Sequence, residues 1–153
     1  MNIFVLDTDP QQAATLHLDK HVVKMPLETA QMLCTINAEF GVEVPYKSTH
    51  KNHPCTLWAK TSKANYYWLV TLGMHLCKEY TYRYNKVHAC QKIIEALRNC
   101  PASIPDGKLT SFAQAMPDDC KQDDAPKAYQ MYYKQHKNHI AKWTGRATPS
   151  FML

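Results

Sequence analysis

His17, Lys20, His21, Lys24, Glu28 and Gln31 recur at intervals of three and four residues. At about 100° per residue, helical spacing gathers them within an arc of roughly 100°. Two imidazoles, two amines and a carboxylate on one line are groups that move protons, attack electrophilic carbon or hold anions. A solvated helix face presents the same pattern, since Lys24 and Glu28 also form an ordinary (i, i+4) pair. The narrowness of the stripe and its mixture of His, Lys and Glu favour chemistry. The remainder of the wheel, with Leu16, Leu18, Val22, Met25, Leu27 and Leu33, is apolar, as in a helix buried over most of its circumference. Asp19 lies opposite the stripe. A buried carboxylate needs a partner, and Arg83, Arg98 and Arg146 are the candidates.

A second group is the loop Tyr46 to Pro54, which carries Lys47, His50, Lys51, Asn52 and His53 just before a helix. Backbone N–H groups at a helix start favour anions, so this loop is expected to bind phosphate. Pro54 suits the first helical position and leaves His53 or Asn52 as the cap. A third group interleaves aromatics with bases: Tyr129, Tyr132, Tyr133, Lys134, His136, Lys137, Lys142, Trp143 and Arg146. Rings beside cations suit single-stranded or flipped bases, although Tyr at helical spacing is as often core. Asn65, Trp58, Glu79 and Arg83 complete the candidate set. His17 and His21 are spaced as two metal ligands, but Lys20 and Lys24 beside them repel a cation, so no metal and no cofactor is expected.

The elements that position these groups are helical. Asp9 or Thr8 caps a helix starting at Pro10, which is expected to run unbroken from Gln11 to Glu39 and end at Gly41. Pro54 opens the next helix. Ser62 caps a helix over Lys63 to Tyr84, and a shorter one spans Lys86 to Asn99. Cys100 to Ala125, with Pro101, Pro105, Gly107, Pro117 and five Asp, reads as a long irregular loop that is functional or mobile. Pro126 starts a last helix reaching about Trp143. Ile3 to Leu6 reads as a short buried strand or an extended arm. The expected fold is mainly α, in a single compact domain over residues 1–153.

Composition sets further bounds. The net charge is +5, and the Asp-rich loop leaves the remainder more basic still, which favours nucleic acid or nucleotides as partners. There is no apolar stretch of membrane-spanning length and no basic leader, so a cytoplasmic protein is expected. The six cysteines lack any C-x-x-C pair and read as reduced core residues.

The run His17-Leu18-Asp19-Lys20-His21-Val22-Val23-Lys24-Met25-Pro26, then His53-Pro54-x-x-x-Trp58 and Glu79-Tyr80-x-x-Arg83, resembles small bacteriophage proteins. More distantly, it is similar to pyrimidine-dimer DNA glycosylases of the phage endonuclease V type. The resemblance follows the order of elements over most of the chain on a few short motifs. It implies a compact helical fold, removal of a damaged base and strand cleavage through a Schiff base without a metal. In that family the nucleophile is an N-terminal amine on a small second residue, and a catalytic Glu directly precedes a Leu-Pro pair. Here the second residue is Asn2, Lys24 precedes Met25-Pro26, and Glu28 follows one turn later.

Two functions follow. One is a glycosylase/lyase in which Lys24 or Lys20 attacks the sugar, Glu28 stabilises the resulting positive charge, and His17 or His21 moves protons. Gln31, Lys47, His50, Lys51, Asn52, His53, Trp58, Asn65, Tyr132, Lys142, Trp143 and Arg146 would then bind the nucleic acid. The other is a non-catalytic phage protein that captures a nucleotide or nucleotide-derived signal in a basic pocket.

Overall fold

A computed structural model describes residues 1–153. The chain forms six α-helices and no strand: α1 (Pro10–Leu16), α2 (Asp19–Glu39), α3 (Pro54–Ala59), α4 (Lys63–Tyr84), α5 (Gln91–Ala96) and α6 (Ala125–His136). Short 3-10 turns occupy Asp118–Cys120, Asn138–Ile140 and Ser150–Met152. No helix is long and apolar enough to cross a membrane.

The expected helix from Gln11 to Glu39 is two helices. His17 and Leu18 are extended, with ψ of 134° and 159°. The break persists because distant residues satisfy the groups it exposes. Arg83 donates to the carbonyls of Thr15 and His17, and the Trp143 indole donates to Leu16 O. Asp19 N–H donates to Lys142 O, and its carboxylate accepts from Arg83 and from the amide and hydroxyl of Thr144. Arg83 is therefore the Asp19 partner, whereas Arg146 pairs with Glu79. Burial pushes the Asp19 pKa up, but the bonds from Thr144 and Arg83 outweigh it and hold the carboxyl below its ordinary value.

α4 crosses α2 closely, which requires Gly73: a Cβ there would lie 2.7 Å from Thr29 Cγ2. Ser62 caps α4 and Asn85 ends it with a left-handed φ of 55°. The expected helix over Lys86–Asn99 shortens to α5, and α6 stops at His136, where the chain turns into 3-10 geometry.

The N-terminal segment is an arm, not a strand. Ile3 to Leu6 are almost wholly buried and enter the core beside Tyr129 and Tyr133 of α6. The segment after α5 is packed rather than loose. Ile104 is buried, Phe112 sits against Trp58 and Trp68, and Thr110 bonds Asn65.

Candidate active site

The buried arm draws the head of the chain onto α2. Asn2 N–H donates to Glu28 Oε1 at 2.9 Å, and the Met1 α-ammonium lies 3.4 Å from the same oxygen. Glu28 is 8% exposed. The Asn2 side chain fixes this placement. Its Nδ2 donates to Ala115 O, while its Oδ1 accepts from Ile3 N–H, the Tyr129 hydroxyl and the Cys55 thiol. Asn2 is thus a clamp, which gives a physical reason for a large polar second residue.

Lys24 stands at the rim. Its side chain is 68% exposed, with Nζ 3.9 Å from Glu28 Oε2. Lys20 is exposed and Gln31 half-buried on the same helix. His53 approaches from the loop before α3. Burial lowers its pKa, as do the positive charge of the chain terminus and His50, with Glu28 opposing. His53 therefore lies within the field of the amine and the carboxylate.

The two histidines of the stripe point into the core. His17 is fully buried. Its Nδ1–H donates to Ala13 O at 2.6 Å, and Nε2 has no partner. Burial and the charge of Arg83 lower its pKa to about 4, against the bond to Ala13. His21 stacks on Phe4 at 4.3 Å between ring centres, and its Nδ1 shares a hydrogen bond with the Tyr133 hydroxyl. Burial, with His17, Lys137 and Lys24 nearby, lowers it to about 3. Both are neutral packing residues; neither is placed to exchange protons with a substrate, contrary to the expectation from the stripe.

Other expected residues are also structural. Asn65 is fully buried and bonds Trp58 O and Thr110. Trp58 packs against Trp68 and Phe112. Trp143 is buried and holds the helix break. None of the three offers a ring or amide to a nucleic acid. Arg146 stacks over Tyr82 and binds Glu79, far from freedom to grip a phosphate.

The loop before α3 keeps Lys47, His50 and Lys51 exposed, with Asn52 exposed beside them. His53 caps α3, as the position of Pro54 leads one to expect, by accepting from Cys55 N–H. Tyr132 is half-buried, stacked towards Phe4 with Lys137 Nζ 5.2 Å over its ring, and Lys142 is exposed. Cavities of about 220 and 340 Å³ open at Glu79–Arg146 and at Val87–Glu95, so neither is a basic pocket at Glu28.

Sequence reasoning missed the α-amine of Met1 as the partner of Glu28. The signal for it was present in the apolar run Ile3 to Leu6, whose burial carries the terminus inward.

These features define a helical protein in which the Met1 amine faces a buried carboxylate, with Lys24 at its rim. The chain belongs to the pyrimidine dimer DNA glycosylase family, whose sequence model matches residues 1–92. The matched region includes Met1, Glu28, the Lys47 to His53 loop and the Glu79–Arg83 pair. Lys137, Lys142 and the rest of the last third lie outside it. No curated protein and no solved structure matches the chain.

Proposed function

We propose that this protein removes damaged pyrimidines from DNA and cleaves the strand, using the α-amine of Met1 as nucleophile and Glu28 as its acidic partner. The supporting observation is the contact between that amine and Glu28, 3.4 Å apart, on a chain of the glycosylase family.

The amine lone pair attacks C1′ of the damaged nucleotide. The base leaves with the electrons of the C1′–N bond and takes up a proton. Ring opening gives an iminium at C1′, whose positive charge Glu28 stabilises. Loss of a C2′ proton then expels the 3′ phosphate, and water hydrolyses the imine to release the amine. An α-amine, with a reference pKa of about 7.7–8.0 against about 10.4 for lysine, is the better nucleophile near neutral pH. An attacking lysine needs desolvation, which the exposed side chain of Lys24 lacks. Lys20, Lys24, Lys47, His50, Lys51, Asn52 and Lys142 contact phosphates, Tyr132 stacks on a base, and Gln31 and His53 border the sugar.

Borohydride trapping on duplexes carrying an abasic site, a pyrimidine dimer or neither tests this reading. A covalent adduct mapped to Met1 and absent from the undamaged duplex is expected. An N-terminal extension should abolish it. An adduct on Lys20 or Lys24 would remove the amine from its role. Folded protein that gives neither adduct nor cleavage overturns the reading and leaves nucleotide capture to be tested by direct titration.

A further inference from the structure

The segment joining α5 to α6 carries a second cluster, which the chemistry above does not use. Its 3-10 turn Asp118–Cys120 lies against α6, bringing Asp119 and Cys120 to His136 at that helix's last position. The carboxylate oxygen, thiol sulfur and imidazole nitrogen all lie within 4.8 Å of one another. His136 Nε2 is 3.5 Å from Asp119 Oδ2.

We propose that Asp119, Cys120 and His136 bind a divalent transition-metal ion, zinc by donor type. Nitrogen, sulfur and carboxylate oxygen are the zinc donors, and three protein ligands leave the fourth tetrahedral position to water. Metal–ligand distances of about 2.0–2.3 Å place the donor atoms of such a site about 3.3–3.6 Å apart. The Asp119–His136 pair already has this spacing. Rotation of these two exposed side chains, 62% and 38% accessible, closes the remaining gap around Cys120, which is 1% exposed.

The surroundings agree. Asp119 has no Lys or Arg partner, since nearby Lys121 is held by Asp118 at 3.1 Å. Asp118 places a further carboxylate in the turn, itself paired with Lys121. Gln135 Oε1, 3.7 Å from Cys120 Sγ, borders the site. Binding displaces the thiol proton to solvent and leaves a metal–thiolate bond. The ion then ties the long segment after α5 to α6, beside Tyr132, whose ring lies 5.6 Å from that of His136.

Cobalt(II) added to the metal-stripped full chain tests the site. One equivalent is expected to produce tetrahedral d–d absorption and a thiolate-to-cobalt charge-transfer band, both removed by zinc(II). Cys120→Ser should remove the charge-transfer band. Asp119→Asn, at an exposed position, should weaken cobalt binding by roughly 100-fold or more, because even outer-sphere partners are worth 10–100-fold. Zinc should also raise the Tm of the parent chain and leave that of Asp119→Asn unchanged. Absence of both bands from folded protein overturns the proposal. So does a charge-transfer band that persists in Cys120→Ser, which would place the metal on another of the six cysteines. If Cys120→Ser does not fold, unchanged affinity in Asp119→Asn overturns it alone.

Discussion

The backbone N–H of Asn2 donates to Glu28 Oε1 at 2.9 Å, and the same oxygen faces the Met1 ammonium. The carboxylate is therefore fixed by the backbone of the residue whose side chain clamps the arm. Geometry and charge are set by one short segment. Glu28→Gln keeps the shape and an acceptor for Asn2 but removes the negative charge. Strand cleavage at an abasic site should fall by about 100-fold or more, the scale of losing one preorganised electrostatic contact. DNA affinity should change little. Single-turnover cleavage and equilibrium binding, measured on the same preparation, separate the two; cleavage at the parent rate would remove Glu28 from the mechanism.

Lys24→Ala separates the rim from the centre. The side chain is largely in water, and its contact with Glu28 is long, at 3.9 Å. Such exposed pairs contribute little to stability. The variant should still form the borohydride adduct. Its affinity for duplex DNA should drop uniformly across sequences, and the salt slope should shrink by about one unit, as for the loss of one phosphate contact. A lost adduct with unchanged salt dependence would instead restore Lys24 as nucleophile.

Local signals made much of the architecture legible. Pro10, Pro54, Ser62 and the left-handed Gly41 mark ends that the chain observes. The break at His17–Leu18 was not legible, because it depends on Arg83, Trp143 and Thr144, all more than 60 residues away. His17 leaves the helix that carries the rest of the stripe, while His21, Lys24 and Glu28 keep their wheel positions within α2; His21 is buried because Phe4 of the arm and Tyr133 of α6 cover it. A wheel drawn from sequence assumes one straight helix and cannot see a tertiary cap. Trp58, Asn65 and Trp143, which sequence alone offers as contacts to nucleic acid, are buried and bonded within the protein. Polar and aromatic residues look alike in sequence whether their partner is DNA or the protein's own backbone.

Arg83 is the stability test. Its side chain is fully buried and its fork reaches Glu79, Asp19 and two carbonyls at the end of α1, at 2.7–3.1 Å. Arg83→Met leaves Asp19 with a lost partner in a buried setting, which typically costs about 3–5 kcal/mol. Arg83→Lys should recover little, since one ammonium cannot reproduce the planar geometry. Urea denaturation reads both; a loss under about 1 kcal/mol in Arg83→Met would show that the network is dispensable.

Acid should destabilise the fold through its buried imidazoles. Burial holds His17 neutral, with its pKa at about 4, against a reference of about 6.5 in an unfolded chain. Between these values the unfolded chain binds a proton that the folded chain does not, so stability rises with pH across this window. It is at its full value above about pH 6.5 and falls as pH drops towards 4. The shift corresponds to about 3 kcal/mol for His17 at its limit, and His21, lowered to about 3, acts in the same direction. Because His17 depresses His21, the two contributions are coupled and do not simply add. Urea midpoints at pH 7.5 and pH 5 should therefore differ, the lower pH giving the lower midpoint. His17→Gln should reduce that difference whatever its effect at pH 7.5. Equal midpoints for the parent chain would mean that the imidazoles are not held neutral by burial.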